Sequence, residues 1–375
     1  SSLALGISIS SAVFSGVQAI LEQIHTPQFY IDINSQSKLN REKVDIVTVS
    51  NAANVSISTV SRSFNHPEKV SADTRKRIDR AVRKLGYIRN RAAQTIHGIR
   101  SGTIGLIVPT MDHAIFSELM EAFSRSVEAH GFSMLVASHG YDLEKEYAVT
   151  RKFLEHRIDG VALIGQEHSE ETYQLLEQNR TPAISIWNYS AKSRLPCVGA
   201  DNTRAGEMAA EHLLENGHRR IGLLFAPGNG NDRAQGRMDG ARAALKAAGI
   251  DTPAEWTLQS PYSLSAAKRD VRILLEQTHR PTALLCGNDV LALGAIYAAQ
   301  SMNLHVPDDI SVIGIGDFKG SEDMHPALTT IRLPAQRIGF LAGEQLADAI
   351  INKPDHLPRV ECAIALRARQ SCRAI

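Results

Sequence analysis

The chain has 375 residues, more than one ordinary domain holds, and 43% of them are hydrophobic, enough for a substantial core. A formal net charge of only +1 excludes a protein that binds polyanions along its whole length. Lys and Arg outnumber Asp and Glu by 13 to 5 over residues 41–100, however, against 27 to 33 over residues 101–375. The sequence therefore predicts a basic head of charge +8 on an acidic body of charge −6, with only the head meeting phosphates.

Residues 1–42 begin with the apolar, serine-rich run SSLALGISISSAVFSGVQA, which resembles the end of an export signal. A signal peptide would carry basic residues ahead of its apolar part, and this run has none. Export would also remove the basic head from the nucleic acid of the cell. We therefore predict a poorly ordered extension in this region and no targeting role.

The stretch from Val55 to Asn65 predicts the helix on which the basic head depends. Ser56 is a good N-cap, because its hydroxyl can accept from a backbone N–H one turn further on. Val60 and Phe64 are four residues apart and would pack inward. The opposite face would present groups suited to base edges and phosphates, on Ser58, Ser61, Arg62 and Asn65.

A further helix is predicted on each side of this one. Upstream, a short helix would end at Asn54, a residue type that tolerates the left-handed backbone of a tight turn. Downstream, residues 71–87 predict an amphipathic helix. Its apolar stripe consists of Ile78, Ala81, Val82 and Leu85. Residues 43–89 therefore predict a three-helix helix-turn-helix module that binds DNA.

Residues 90–102 join this head to the rest of the chain. They begin with good helix formers and contain Gly98 and Gly102, which break helices. A helix this short would be marginal alone and would order only against a partner or DNA. The segment predicts a hinge helix followed by a flexible joint, and a plain interdomain linker remains the alternative.

From residue 103 onwards, short apolar runs rich in β-branched residues alternate with amphipathic helical stretches. The runs are residues 103–109, 133–138, 159–165, 182–187, 220–225, 282–287 and 310–316. This alternation predicts an α/β fold with parallel sheets covered by helices on both faces. Ligands of such sheets bind beyond the carboxyl ends of the strands, so the residues directly after each run are the candidate ligand-binding residues.

Patterns for metal binding or catalysis are missing from the sequence. The cysteines have neither CxxC spacing nor paired histidines, and we interpret them as reduced thiols rather than as disulfides or zinc ligands. They are Cys197, Cys286, Cys362 and Cys372. None of the 14 histidines lies in an HExxH motif, and there is no GxSxG elbow. We therefore expect no metal site, no cofactor and no enzymatic activity.

Over about residues 43–372, the sequence resembles the lactose-repressor (galactose-repressor) family of bacterial transcription regulators. The residues that carry the resemblance, in the order and spacing of the family, are Val55-Ser56, Thr59-Val60-Ser61-Arg62, Asn65, Val70-Ser71, Thr74-Arg75, Leu85-Gly86-Tyr87 and Asn90. The resemblance implies a cytoplasmic homodimeric repressor that reads a near-palindromic operator. It also implies a periplasmic-binding-protein-like body over residues 103–375. Its first lobe would be about 103–200 and 328–350, and its second about 204–325 and 351–375.

The resemblance assigns DNA contacts to the predicted recognition helix and to the hinge. Ile57 and Ser58 match the variable recognition pair of the family, and Arg62 would reach a guanine or a phosphate. Ile96, where most members have Leu, would enter the minor groove between base steps. The complete set of implied DNA-binding residues is Ile57, Ser58, Thr59, Ser61, Arg62, Asn65, Lys69, Asn90 and Ile96.

The resemblance also implies a small effector bound between the lobes. The Ala-Asn-Asp motif of the family appears as Gly287-Asn288-Asp289, whose Asp commonly accepts hydrogen bonds from effector hydroxyls. Ile115 and the segment 138–146 resemble the gluconate-repressor branch, so we expect a sugar or a sugar acid such as gluconate. Arg237 or Arg233 would bind its carboxylate. The implied effector-binding residues are Phe116, His139, Trp187, Arg233, Arg237, Asn288 and Asp289.

Two other classes of function remain open on the sequence. Residues 103–375 alone would suit a free sugar-binding transport protein without any DNA function. The basic head argues against that class. An enzyme on a doubly wound fold is the other alternative, and the missing catalytic residues argue against it.

Overall fold

The computed structural model describes residues 44–89, 100–112 and 114–375. The chain divides into two compact units between Asn90 and Arg91. The predicted extension and the predicted hinge helix, with Asn90 and Ile96, lie outside the described residues. In the described part of the chain, no helix is both long and apolar enough to cross a membrane.

The described residues of the first unit, 44–89, contain three α-helices, as the sequence predicts for a helix-turn-helix head. They are α1 (Ile46–Ala53), α2 (Ile57–Asn65) and α3 (Ala72–Leu85), with a 3-10 turn at Pro67–Lys69. Helix α2 begins after the predicted cap, because Ser56 Oγ accepts from the backbone N–H of Thr59 at 3.1 Å. Helix α1 ends at Asn54, whose φ of 54° provides the left-handed backbone of the tight turn.

A small apolar core holds these helices together. Its fully buried members are Val49, Ala53, Val60, Ile78 and Ala81. Phe64 packs against this core, with its ring centroid 6.3 Å from that of Tyr87. Val60 and Phe64 therefore fix one face of α2 against the core, as predicted, and leave the opposite face open to solvent.

The first sheet of the second unit has six strands, each parallel to its neighbours. These are β1 (Thr103–Val108), β2 (Ser133–Ser138), β3 (Gly160–Ile164), β4 (Ala183–Asn188), β5 (Cys197–Ala200) and β11 (Val360–Glu361), in the spatial order β11-β5-β4-β3-β1-β2. The helices of this first lobe are α4 (Ala114–Ala129), α5 (Leu143–Glu155), α6 (Glu170–Gln178) and α11 (Ala335–Ile351).

The second sheet also has six strands, and only one of its strand pairs is antiparallel. These are β6 (Ile221–Phe225), β7 (Thr257–Gln259), β8 (Ala283–Cys286), β9 (Ser311–Gly316), β10 (Thr329–Arg332) and β12 (Ala365–Arg367), in the order β12-β10-β9-β8-β6-β7. The helices of this second lobe are α7 (Asn202–Glu215), α8 (Asp232–Ala247), α9 (Leu264–Leu275) and α10 (Asp289–Ser301), with a 3-10 turn at Ala254–Trp256.

The chain passes between the two lobes three times, as the predicted lobe boundaries imply, but the second and third passages lie later in the chain than predicted. Strand β10 pairs with β9 in the second lobe, although the sequence placed residues 328–350 in the first. Strand β11 pairs with β5 in the first lobe, although the sequence placed residues 351–375 in the second. Strands of two to four residues carry too little periodicity to assign them to a sheet. The third crossing therefore lies between β11 and β12, rather than at residues 350–351 as predicted.

Close packing of α7 on α8 positions the residues that follow strand β6. A Cβ atom on Gly206 would lie 1.9 Å from the carbonyl oxygen of Arg237, and one on Gly240 would lie 2.0 Å from that of Thr203. Only glycine allows the two helix backbones to approach this closely. This contact fixes the first two turns of α8 at the cleft between the lobes.

Candidate functional site

A small pocket of about 20 Å³ lies in the cleft between the two sheets. It is lined by residues that follow the carboxyl ends of strands in both lobes, as expected for parallel sheets. They are Phe116, Tyr141, Trp187, Arg233, Arg237, Tyr262, Asn288, Gly316, Phe318 and Leu333. This space holds about one water molecule, so a bound metabolite requires the cleft to open wider than it is in this structure.

Two aromatic pairs line the pocket. The ring centroids of Phe116 and Trp187 are 5.5 Å apart at an interplanar angle of 59°. Those of Tyr141 and Tyr262 are 6.1 Å apart at 40°. Trp187 and Tyr141 both have left-handed backbones, with φ of 83° and 62°, a conformation that non-glycine residues rarely adopt. These strained positions turn the two rings into the cleft, and such strain is common at functional sites.

Arg237 is held rigidly from the side of the second lobe. Its Nε donates to Asn202 Oδ1 at 2.7 Å, and its Nη1 donates to the carbonyl oxygen of Gly287 at 2.8 Å. Burial lowers the pKa of this arginine. Both hydrogen-bond acceptors are neutral, so these two bonds fix the guanidinium at the pocket wall without neutralising its charge.

One guanidinium nitrogen of Arg233 is buried and has no hydrogen-bond acceptor among the described residues. The residue is 5% exposed, and its Nη1 donates to Asp232 Oδ1 at 2.9 Å and to the Ile164 carbonyl oxygen at 3.4 Å. This buried nitrogen is Nη2. A buried donor left unpaired costs roughly 1–3 kcal/mol, and more when it is charged. The pocket therefore offers a positive donor that an acceptor on a ligand would satisfy.

Asp232 links the two lobes beside this arginine. It is the first residue of α8 in the second lobe, yet its Oδ2 accepts from the Gln166 backbone N–H at 2.7 Å and from Asn188 Nδ2 at 2.6 Å. Gln166 and Asn188 follow or end strands of the first lobe. One carboxylate therefore holds the cleft closed and positions Arg233 at the same time.

Asp289, predicted to bind the ligand, does not line the pocket. Its buried carboxylate accepts from the backbone N–H of Phe318 at 2.9 Å, from Ser321 Oγ at 2.9 Å and from Thr330 Oγ1 at 2.6 Å. Burial raises its pKa, and these three hydrogen bonds oppose that rise. Its position fits a residue that holds the segment carrying Phe318, while the neighbouring Asn288 lines the pocket.

His139 also lies away from the pocket, in a buried cluster behind Tyr141. Its Nδ1 is 3.3 Å from the carbonyl oxygen of Asp142, and its Nε2 is 3.8 Å from Glu146 Oε2. The other Glu146 oxygen is 2.8 Å from His168 Nδ1. The left-handed turn after β2 carries Tyr141, rather than His139, into the cleft.

We expect the stability of the protein to fall below neutral pH partly because of His139. Burial lowers its pKa from 6.5 in the folded chain, although Glu146 acts in the opposite direction. The unfolded chain therefore takes up this proton at a higher pH than the folded chain. The contribution of neutral His139 to the free energy of unfolding is fully present above pH 6.5. It is lost as the pH falls through the lowered pKa of the folded chain.

Urea unfolding from about pH 7.5 to pH 5 measures this effect. His139→Gln should flatten the decline of the free energy of unfolding, and the same change at the exposed His356 should leave it as in the wild type. Identical slopes for the wild type and His139→Gln would contradict the assignment.

Five of the seven predicted ligand-binding residues therefore meet at the pocket, and His139 and Asp289 do not. The implied effector-binding set does not contain the other lining residues, which are Tyr141, Tyr262, Gly316, Phe318 and Leu333. Tyr141 and Phe318 follow predicted strands, so the same strand-end reasoning could have found them. Tyr262 and Leu333 follow β7 and β10, which the sequence did not predict.

The predicted DNA-binding residues that the structure describes lie on α2 or, in the case of Lys69, on the 3-10 turn that follows it. Ile57 is 45% exposed, and Ser58, Arg62 and Lys69 are also exposed. Thr59, Ser61 and Asn65 are half-buried. The Ser58 and Thr59 hydroxyls each lie 2.8 Å from Ser56 Oγ at the helix cap.

Asn65 is the last residue of α2, and its side-chain amide hydrogen-bonds to other residues of the head. Its Oδ1 accepts from Arg89 Nη2, and its Nδ2 lies 3.4 Å from Ser61 Oγ. Arg89 also lies over the Phe64 ring, 5.5 Å from its centroid. Arg62 is therefore the long cation on the exposed face of this helix, a geometry suited to a DNA groove.

Models of known protein families match both units of the chain. The model for bacterial regulatory proteins of the lacI family matches residues 45–90, and that for a periplasmic binding protein-like domain matches residues 210–372. The HTH-type transcriptional repressor PurR of Klebsiella pneumoniae subsp. pneumoniae is 33% identical over 328 residues, which are 87% of this chain and 96% of that protein.

Solved structures agree with this match. The transcription regulator GntR from Chromobacterium violaceum is 31% identical, with a TM-score of 0.67 over 72% of this chain and 98% of that one. The lac repressor dimer bound to operator and the anti-inducer ONPF is 26% identical, with a TM-score of 0.77 over 89% and 100% of the two chains. The chain belongs to the lacI family of bacterial regulatory proteins, as a DNA-binding transcriptional repressor with an effector-binding domain.

Proposed function

We propose that the effector of this repressor is a sugar acid such as gluconate, bound between the lobes, and that its binding changes the affinity of a homodimer for a near-palindromic operator. In this proposal, residues 43–89 bind DNA, residues 90–102 are the hinge, and residues 103–375 bind the effector and dimerise. The buried, unpartnered Nη2 of Arg233 is the observation that supports an anionic effector most strongly.

The charges around the pocket favour a single carboxylate on the ligand. Arg233 and Arg237 both line the pocket, and Asp232 is the carboxylate that hydrogen-bonds to Arg233. Asp289 is also close, but its oxygens already accept three hydrogen bonds from the protein. A guanidinium binds a carboxylate through charge-assisted hydrogen bonds, which are about twice as strong as neutral ones.

The remaining lining suits the rest of such a molecule. Phe116 and Trp187 offer apolar ring surfaces to the C–H groups of a polyol chain. Tyr141, Tyr262 and Asn288 offer hydroxyl and amide groups that can hydrogen-bond to its hydroxyls. An apolar wall with a few convergent polar groups is typical of a specific small-molecule site.

Calorimetry and thermal unfolding with D-gluconate, D-glucose and a panel of other sugar acids test this proposal. A ligand present at 100 times its Kd should stabilise the protein by about 2.7 kcal/mol, so an acid should raise the Tm where D-glucose does not. Arg233→Gln should weaken acid binding by at least about 10-fold, in line with the loss of one charged hydrogen bond. Arg272→Gln, at an exposed arginine of α9, is the matched control.

Two results would count against the proposal. If neutral sugars bind as tightly as their acids, the effector is not recognised by charge. If Arg233→Gln binds the acid as the wild type does, its open guanidinium nitrogen is not the carboxylate site.

A further inference from the structure

A second, larger concavity adjoins the pocket on its outer side. This outer groove has a volume of about 820 Å³ and is lined by Ser117, Glu118, Glu121, Asp317, Phe318, Lys319, Gly320, Glu322, Asp323, Arg332, Gln336, Arg367 and Arg369. Phe318 is the residue that lines both the inner pocket and the outer groove. Its ring is therefore a shared wall between a small site and open solvent.

The wall of the outer groove on the second lobe carries three arginines around one carboxylate. Arg369 Nη2 lies 2.7 Å from Asp317 Oδ1, whereas the Nε atoms of Arg332 and Arg367 lie 3.9 and 4.0 Å from Asp317 Oδ2. Arg369 is 17% exposed, and Arg332 and Arg367 are 53% and 45% exposed. Lys319, Glu322 and Asp323 also line this wall, which therefore carries four positive and three negative side chains, an excess of one positive charge. Arg332 and Arg367 are the half-exposed cations that an anion could reach.

Strand pairing fixes the two outer arginines side by side. Thr330 of β10 is directly opposite Arg367 of β12, and Arg332 is two residues further along β10, on the same face of the sheet. The opposite wall, on the first lobe, carries Glu118 and Glu121 of α4. The groove is therefore polarised, and an anion would be drawn to its β10–β12 side, next to Phe318.

Phe318 sits where a change of rotamer could open the wall. Its ring lies against Gly316, where a Cβ atom would be 2.2 Å from ring Cε1, so only glycine leaves room for it. Its backbone N–H is fixed by Asp289. The backbone at this position is therefore anchored, and the aromatic ring is the part that can move aside.

We infer that the outer groove is the entry route of the effector, in which Arg332 and Arg367 first capture an anion and the Phe318 ring opens to admit it to the pocket. The inference rests on the proposed function, because it takes the effector to be an anion. Clefts lined by one sign of charge raise association rates by about 10- to 1000-fold, and a groove with one positive wall should lie at the lower end of that range. These arginines would thus set the rate of binding rather than the strength of the final complex.

Stopped-flow fluorescence of the full chain with D-gluconate tests this route. The chain has two tryptophans, and one of them, Trp187, lines the pocket. The double variant R332Q/R367Q should lower the association rate constant about 10-fold at low salt and leave the dissociation rate constant unchanged. The difference should vanish at about 1 M salt, where charges are screened beyond roughly 3 Å. Arg272→Gln should behave as the wild type does.

Phe318→Ala should raise the association and dissociation rate constants together. An unchanged association rate constant in either variant would overturn the inference, as would a loss of affinity in the double variant that arises only from faster dissociation. A wild-type chain that gives no signal with any sugar acid would refute the proposed effector class and this route with it. Normal binding with unaltered association rates would refute the entry route alone.

Discussion

Asp289→Ala is expected to lower the free energy of unfolding by about 3 kcal/mol or more and to abolish binding of the effector. The substitution leaves three buried donors without an acceptor, on Phe318, Ser321 and Thr330. Each unsatisfied buried donor costs roughly 1–3 kcal/mol. Effector binding should fail because the segment that carries Phe318 is no longer held against the pocket. Urea unfolding and calorimetry measure the two effects.

The exposed Asp308 provides the matched control for this variant. Asp308→Ala removes a carboxylate from the surface of the same lobe, where it pairs with Arg373, and should change stability by less than about 0.5 kcal/mol. If Asp289→Ala unfolds at the same urea concentration as the wild type, Asp289 does not organise this wall. If it is destabilised and still binds the effector fully, the position of Phe318 does not depend on Asp289.

Arg62→Ala is expected to weaken binding to a selected operator duplex by at least 10-fold, from the loss of about 1–3 kcal/mol in each head. Arg62 projects from the exposed face of α2, while Val60 of the same helix is fixed in the core of the head. The substitution should therefore leave the helix-turn-helix fold and the affinity for effector unchanged. Fluorescence anisotropy with a labelled duplex measures the affinity.

Arg151→Ala is the control for this loss of charge, since Arg151 is exposed on α5 and pairs with Glu155. It should bind the duplex as the wild type does. If the Arg62→Ala variant binds the selected duplex with wild-type affinity, Arg62 does not contribute to the DNA interface.

Much of the fold could be predicted from the sequence, because both faces of a parallel sheet are buried and its strands become continuous apolar runs. All seven predicted runs are strands. The strands that were not predicted are β5, β7, β10, β11 and β12, which contain two to four residues each. Such segments have no periodicity of their own and are fixed by pairing with a neighbour. The lobe boundaries depend on β10 and β11, so they could not be predicted either.

In the candidate site too, some residue positions could be predicted from the local sequence and others could not. Strand-end reasoning placed Arg233, Arg237 and Asn288 correctly beside the cleft. It failed for Asp289, because the first turn of α10 directs this neighbour of Asn288 towards Thr330 instead. It also failed for His139, because the direction of a side chain after a strand depends on the backbone of the turn. The local sequence does not fix that conformation.

We expect a metabolite bound in the cleft to control DNA binding by the head. The most direct test is the affinity of the full chain for a duplex selected from a random library, measured by anisotropy with and without D-gluconate. We expect binding to the selected duplex about 1000-fold or more tighter than to random duplex, and a change of at least about 5-fold on adding the acid. Equal affinity for selected and random duplexes, unaltered by gluconate or any other sugar acid, would contradict the account.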